Sequence, residues 1–155
     1  MKKERIFNVA HTEESSGFLL WQVSTLWQRA IKKALEPHDL THPQFVLLAS
    51  TLWLTLHEQE VTQILLALHT KIDPMTTSQV LRILEKKGLL ERHTHVTDTR
   101  AKSIRLTKKG ELIAKQAVKS VEKFDHDFFL PLDAKTGDFN KKLAVLLTQK
   151  QTASR

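Results

Sequence analysis

The chain has 155 residues, of which 41% are hydrophobic and 26% charged, which is typical of one folded domain and excludes a disordered chain. It contains no cysteine, which excludes disulfide bonds, thiolate zinc sites and thiol redox sensing. No apolar run approaches the ~18 residues that span a bilayer. Since residues 1–17 also lack the apolar core of a signal peptide, we expect a cytoplasmic protein without membrane contact.

The net charge of +7 is concentrated in one segment. Residues 78–110 contain nine basic and three acidic residues, whereas the other 122 residues contain 15 basic and 14 acidic ones. A local excess of positive charge is typical of a surface that binds a polyanion such as nucleic acid, although a solvated basic face has the same composition.

Two helices are predicted before residue 60. Apolar residues recur at helical spacing from Ser15 to Leu35, a serine can cap the start, and Pro37 ends the helix near Glu36. A second helix follows Pro43 and runs from Gln44 to about Leu56. It is apolar on most sides, which predicts a central, buried position.

A short third helix, from roughly Val61 to His69, and a capped fourth helix form the next predicted pair. Asp73 is a good N-cap, Pro74 suits the first helical position, and Gly88 ends the fourth helix. The inward stripe of this helix is predicted to consist of Val80, Leu81, Ile83 and Leu84. The outward stripe consists of Ser78, Gln79, Arg82 and Lys86.

A β-hairpin and two further helices complete the predicted chain. The segments Leu89–His93 and Ile104–Thr107 are typical of antiparallel strands, and a polar, charged tip joins them. Helical spacing returns at Gly110 and stops at Pro131, and a last helix begins near Asp133. The predicted fold class is therefore mainly α with a small β-hairpin wing.

The order of short helix, turn, capped helix and hairpin is that of a winged helix-turn-helix, which reads double-stranded DNA. The fourth helix can enter the major groove, where glutamine suits an adenine edge and arginine a guanine edge. We therefore expect Ser78, Gln79 and Arg82 to contact bases. Arg100 and Lys102 lie in the hairpin, where they can follow phosphates or enter a narrow minor groove.

Several motifs resemble those of one known family. They are VTQILLA at residues 61–67, TTSQVLRILEKKGLLER at 76–92, DTR at 98–100, LTKKG at 106–110 and DLTHPQFVLL at 39–48. Together they are similar to the multiple-antibiotic-resistance regulator (MarR) family, and the resemblance covers nearly the whole chain in order.

The resemblance implies a triangular homodimer that binds a pseudo-palindromic operator, represses transcription and releases DNA when a small ligand binds or a redox change occurs. Within a single domain of residues 1–155, residues 43–109 would form the winged helix-turn-helix, and residues 12–36 and 110–150 would form dimerisation helices. By position, the recognition-helix contacts would be Thr76, Ser78, Gln79, Arg82 and Lys86. The wing contacts would be His95, Asp98, Arg100 and Lys102, with Asp98 orienting Arg100.

The sequence departs from the family pattern in two places. Thr70 and Lys71 lie in the predicted turn, where the family usually has an apolar residue followed by glycine. Ile64 and Leu65 replace residues that are commonly polar. We expect these two side chains to pack against a neighbouring helix rather than to bind a partner.

Several residues allow other kinds of site and function. Trp21, Trp27 and Trp53 could line a pocket for a small aromatic or phenolic effector, although aromatic residues at helical spacing commonly belong to the core. The eight histidines allow a metal-sensing regulator, but the chain has no HExxH or helical HxxxH motif, and no metal site is predicted. No catalytic motif indicates an enzyme or a cofactor. A winged-helix protein-interaction module and a nonspecific DNA-binding protein are the alternatives to a sequence-specific regulator.

Overall fold

Two long helices flank a winged helix-turn-helix in the computed structural model, which describes residues 6–94, 97 and 102–148. The elements in chain order are α1 (Ser16–Leu35), α2 (His42–Leu56), α3 (Gln63–Thr70), α4 (Pro74–Lys86), β1 (Leu90–Thr94), β2 (Lys102–Leu106), α5 (Lys108–Phe129) and α6 (Thr136–Leu147). Short 3-10 segments lie at Thr12–Glu14, Glu36–His38 and Leu130–Lys135. This arrangement confirms the predicted fold class.

Side-chain caps determine where the first two helices begin. The Ser15 hydroxyl accepts a hydrogen bond from the amide of Phe18 at the start of α1. At the start of α2, the amide of Gln44 donates to the Thr41 hydroxyl and the amide of Thr41 donates to the Gln44 side chain. This reciprocal pair satisfies two amides that lack a partner inside the helix.

The hydrophobic core lies around α2. Leu47 and Leu48 of α2 are fully buried together with Leu81 and Leu84 of α4 and Ala117 of α5. Each buried leucine stabilises the fold by about 1.5–3 kcal/mol relative to an exposed one. The core therefore holds the winged helix-turn-helix and the long α5 helix together. Among the described residues, no helix is both long and apolar enough to cross a membrane.

The wing is a two-stranded antiparallel sheet with a short third segment at its edge. In the β1–β2 register, Arg92 lies opposite Ile104 and Thr94 lies opposite Lys102. The carbonyl of Val61 accepts a hydrogen bond of 2.8 Å from the amide of Ile104. The third helix, predicted from roughly Val61 to His69, begins at Gln63, because the buried Val61 joins the edge of the sheet.

Candidate nucleic-acid interface

The helix predicted to read DNA corresponds to α4, and a carboxylate caps its N-terminus. The amide of Thr76 donates a 2.9 Å hydrogen bond to Oδ1 of Asp73, and Pro74 occupies the first helical position. Hydrogen bonding from Thr76 lowers the pKa of Asp73 below its ordinary value. The cap is therefore ionised at neutral pH, which suits the positive end of the helix dipole.

One face of α4 is buried and the other is accessible to a ligand. The buried face consists of Thr77, Val80, Leu81 and Leu84. Gln79, Arg82 and Lys86 are exposed, and the predicted contact residues Thr76 and Ser78 are half-buried. Within the described part of the chain, no hydrogen bond or ion pair uses the side chains of Gln79, Arg82 or Lys86. These polar groups are free to meet a base edge or a phosphate.

Ile83 differs from the predicted pattern of α4. It was assigned to the inward stripe, but its side chain is 43% exposed, so that assignment is wrong. Ile83 lies about 100° around the helix axis from Leu84, away from the centre of the buried face. An apolar residue beside the polar contact positions can pack on sugar or on a thymine methyl group.

The helix before the turn also differs from expectation. Ile64 was expected to pack against a neighbouring helix, but it is 66% exposed, whereas Leu65 packs partly against the core. These neighbours lie about 100° apart around the axis of α3, so only Leu65 contacts the core.

The turn between α3 and α4 contains a residue in an unfavourable backbone conformation. Lys71 has a φ of 62° and a ψ of 13°, in the left-handed region that costs an L-residue about 1–2 kcal/mol. This is the position where the family resemblance predicts glycine. The turn therefore adopts the left-handed conformation that glycine favours, although the residue here is a lysine.

The wing contributes one described residue to the predicted DNA contacts. Lys102 is the first residue of β2 and is exposed. The other three predicted wing contacts, His95, Asp98 and Arg100, lie outside the described residues.

An ion pair that the sequence analysis missed joins the wing to α4. The guanidinium of Arg92, on β1, donates two hydrogen bonds to Oε2 of Glu85, from Nε at 2.9 Å and from Nη2 at 2.6 Å. These hydrogen bonds lower the pKa of the Glu85 carboxyl, and the charge of Lys102 adds to the effect. Lys102 therefore lies near the C-terminal half of α4. The sequence signal is a Glu-Arg pair seven residues apart on either side of Gly88.

The LTKKG motif fixes the start of α5 against the end of α4. The Thr107 hydroxyl donates to the carbonyl of Gly88 at 2.7 Å and accepts from the amide of Gly110 at 3.0 Å. A Cβ atom at position 110 would lie only 1.7 Å from the carbonyl oxygen of Leu89. Glycine is thus the residue that allows the two backbone segments to approach this closely.

A lysine joins the end of α4 to the segment between α1 and α2. The ammonium of Lys87 lies 3.1 Å from Oδ2 of Asp39 and 3.2 Å from Oε1 of Gln44, and it also donates to the Asp39 carbonyl. These contacts connect the C-terminal end of α4 to the α1–α2 segment.

The three tryptophans do not form one wall within the chain. Trp27 is half-buried, donates a 2.8 Å hydrogen bond to Asp125 and meets the ring of His42 edge-on at 4.9 Å. Trp21 is 69% exposed, and Trp53 is 57% exposed and stacks on His57. Trp53 lies eleven residues after His42, which is about 16 Å along α2. Within one chain the three rings therefore do not meet, and an effector pocket lined by Trp21, Trp27 and Trp53 stays a prediction.

Four of the described histidines, His38, His57, His93 and His126, each form a side-chain hydrogen bond with a single neighbour. Nε2 of His93 lies 3.0 Å from Oε2 of Glu91, and Nε2 of His38 lies 2.8 Å from the Ser120 hydroxyl. In the described ranges, no group of three or more His, Cys, Asp or Glu side chains is arranged to hold a metal ion.

Sequence comparison places this architecture among known regulators. Residues 36–123 match the family described as "ArnR1-like, winged-helix domain". The HTH-type transcriptional regulator YdcH of Bacillus subtilis strain 168, described as uncharacterised, is 45% identical over 115 residues. The match covers 74% of this chain and 78% of YdcH. The family and this relative are transcriptional regulators, not enzymes.

Solved structures of MarR proteins share the fold. A mutant of Escherichia coli MarR in complex with operator DNA matches with a TM-score of 0.73 and 24% identity, over 86% of this chain and 93% of that one. CouR from Rhodococcus jostii RHA1 bound to p-coumaroyl-CoA matches with a TM-score of 0.79 and 24% identity, over 92% and 98%. CouR, described as a transcriptional repressor, also matches when bound to a 23-mer DNA duplex, with a TM-score of 0.72.

Proposed function

The chain belongs to the ArnR1-like winged-helix domain family and is a transcriptional regulator of the MarR type, and on that premise we propose that it is a homodimeric repressor released from its operator by a small molecule. One observation carries the DNA-binding part of this proposal. A capped helix exposes Gln79, Arg82 and Lys86 beside a wing that exposes Lys102. This combination of base-reading and phosphate-binding groups fits the major groove and the adjoining backbone.

Dimerisation through the terminal helices is supported by apolar surface that one chain leaves uncovered. The exposed apolar side chains include Phe18, Leu19, Leu20, Trp21, Leu143, Val145, Leu146 and Leu147. Within one chain, α6 contacts the 3-10 segment before it, and the ring of Phe139 in α6 lies 6.0 Å from that of Phe129 at the end of α5. A helix of this length is marginal alone in water, so we propose that a second copy covers it.

This proposal assigns a role to each part of the chain. Residues 1–155 form one domain in which residues 43–109 bind DNA, while residues 12–36 and 110–150 hold the two copies together. A symmetric dimer requires an operator with two-fold pseudo-symmetry. Because the relatives named above are bacterial regulators, we place the protein in the cytoplasm, where the bacterial chromosome lies.

We propose that the effector is a small aromatic or phenolic acid bound beside the α1–α2 segment. A cavity of about 480 Å³ lies there, within the range of small-molecule sites. Its walls include Lys32, His42 and Lys87, and Trp27 packs against His42. The wall also contains the carboxylates of Glu36 and Asp39, and Lys87 is paired with Asp39, so Lys32 is the ammonium group that we expect to bind the carboxylate of the effector. Lys87 also connects this cavity to the end of α4. Since the chain has no cysteine, release through thiol oxidation is excluded.

Selection from a library of random DNA duplexes tests the proposed function. We expect enrichment of a sequence with two inverted half-sites whose centres lie about 10–10.5 base pairs apart, one helical turn. Binding without enrichment would indicate a nonspecific DNA-binding protein, and no binding at low salt would indicate a protein-interaction module. Small aromatic acids are then added to the selected complex, and those that dissociate it identify the effector class.

A further inference from the structure

The carboxylate of Glu85 lies on the face of α4 that is expected to meet DNA. Ser78, Arg82 and Glu85 are separated by four and three positions, which places them along one stripe of the helix. A free carboxylate at this point would repel phosphate groups. It would also lie within reach of the Arg82 guanidinium, one turn earlier on the helix.

Arg92 of the neighbouring wing forms an ion pair with this carboxylate. Both of its hydrogen bonds, at 2.9 and 2.6 Å, go to the same oxygen of Glu85. The Arg92 side chain is only 18% exposed, whereas that of Glu85 is 38% exposed. Arg92 shares a strand face with Leu90, which is buried in the core, so the strand itself limits where the guanidinium can go.

The pair connects two elements that would touch DNA in different ways. The seven residues from Glu85 to Arg92 pass through Gly88, which has a φ of 69°. The ion pair therefore closes a loop around a sharp turn and limits the angle between α4 and the wing. An isolated surface ion pair contributes little, but this pair is partly buried and joins separate elements.

We propose that Arg92 is a positioning residue for DNA recognition: by holding Glu85, it fixes the wing against α4 and keeps that carboxylate away from Arg82. This inference rests on the proposed function in assuming that α4 and the wing read DNA. It also predicts a property of the protein without DNA, because the wing should loosen when the pair is broken.

Four variants test the inference on the selected duplex: Arg92→Gln, Glu85→Gln, the double variant and Arg92→Lys. We expect Arg92→Gln to weaken binding about five- to tenfold, because the freed carboxylate repels phosphate and captures Arg82. The double variant should bind more tightly than Arg92→Gln alone, since the carboxylate is gone. The DNA affinity of Arg92→Lys should lie between those of Arg92→Gln and the wild type, since the charge remains but one of the two hydrogen bonds is lost. A double variant no tighter than Arg92→Gln would overturn the inference.

Amide hydrogen exchange of the DNA-free protein provides the second measurement. We expect faster exchange in β1 and β2 of Arg92→Gln, with exchange in α2 and α5 unchanged. Arg105→Gln is the matched control, because Arg105 lies on the opposite face of the same hairpin and is exposed. Equal exchange in Arg92→Gln and wild type would overturn the inference even if DNA binding is specific. If the wild type selected no DNA sequence, the proposed function would be overturned. The exchange experiment would still test whether the Glu85–Arg92 pair holds the wing against α4.

Discussion

Position 110 shows how one residue holds the DNA-binding unit to α5. A Cβ there would lie 1.7 Å from the Leu89 carbonyl oxygen, whereas a Cβ at Gly17 would meet no atom within 4 Å. We expect Gly110→Ala to lower the free energy of unfolding by about 1–3 kcal/mol, because the backbone at the end of α4 must move. Gly17→Ala, the matched control in α1, should raise it by about 0.4–1 kcal/mol.

Chemical denaturation at a fixed protein concentration measures both glycine variants, since the stability of a dimer depends on concentration. If Gly110→Ala proved as stable as Gly17→Ala, the close approach to Leu89 would not constrain this position.

His42 makes stability depend on pH. Burial lowers the pKa of its imidazole from the ordinary 6.5, and the nearby carboxylate of Asp125 offsets part of this effect. The unfolded chain therefore binds a proton at a higher pH than the folded chain does. We expect the free energy of unfolding to fall as the pH drops below about 7, and to go on falling until His42 is protonated in the folded state as well.

The variant His42→Gln should lose this part of the pH dependence. Denaturation of wild type and variant at several values between about pH 7.5 and 5 provides the measurement. A constant difference in unfolding free energy across that range would show that His42 does not titrate differently in the two states.

At the scale of elements, α4 and the wing are expected to make different kinds of contact. Arg82→Ala should weaken binding to the selected operator by about 1–3 kcal/mol and relax the preference at one base pair in each half-site. Arg100→Ala should weaken binding to most sequences alike and reduce the salt slope by about one unit for each phosphate interaction that the substitution removes. Asp98→Ala should resemble a weaker Arg100→Ala, because the arginine would keep its charge but lose the orienting partner that the family resemblance implies.

Titration of these variants against selected and scrambled duplexes at several salt concentrations separates the two effects. Arg29→Ala is the control, since Arg29 is an exposed residue of α1 with the same charge. If Arg82→Ala left the sequence preference unchanged, Arg82 would not read a base, and recognition by α4 would depend on Ser78 and Gln79.

Element boundaries with a local signal were predictable. Ser15 and Asp73 cap the helices they precede, and Gly88 adopts the positive φ expected of a residue that follows a helix. The side-chain environment was less predictable, since it depends on neighbours distant in sequence. Helical spacing alone could not show that Ile83 turns away from the core.

The same limit applies to the candidate site. The exposed side chains of α4 follow from its periodicity, so Gln79 and Arg82 could be named from the sequence. The Glu85–Arg92 pair depends on how the wing folds back onto α4, which no local pattern determines. Trp27 could not be distinguished from Trp21 before the packing of α1 against α5 was known.

At the scale of the whole molecule, the C-terminal end of α4 is held from three sides. The ion pair of Arg92 connects it to the wing, and the ion pair of Lys87 connects it to the α1–α2 segment. The hydrogen bond of Thr107 connects it to the start of α5. In the proposed dimer, α1 and α5 would set the distance between the two recognition helices, which must be about 34 Å for successive major grooves. We expect the proposed effector to act by changing this distance.

The terminal helices are expected to be the dimer interface, and charge substitutions can locate it. Leu20 of α1 is 54% exposed and Leu146 of α6 is 56% exposed in one chain, an arrangement that favours a covering partner. Leu20→Glu and Leu146→Glu should each shift the protein toward monomer, because a carboxylate buried in an apolar interface lacks a partner. Ile64→Glu is the matched control, since Ile64 is similarly exposed but lies on α3, outside the proposed interface. Sedimentation velocity at micromolar concentration should show dimers for wild type and Ile64→Glu and monomers for the other two. The helices would not form the interface if all three variants stayed dimeric, and a wild type that sedimented as a monomer would refute the dimer itself.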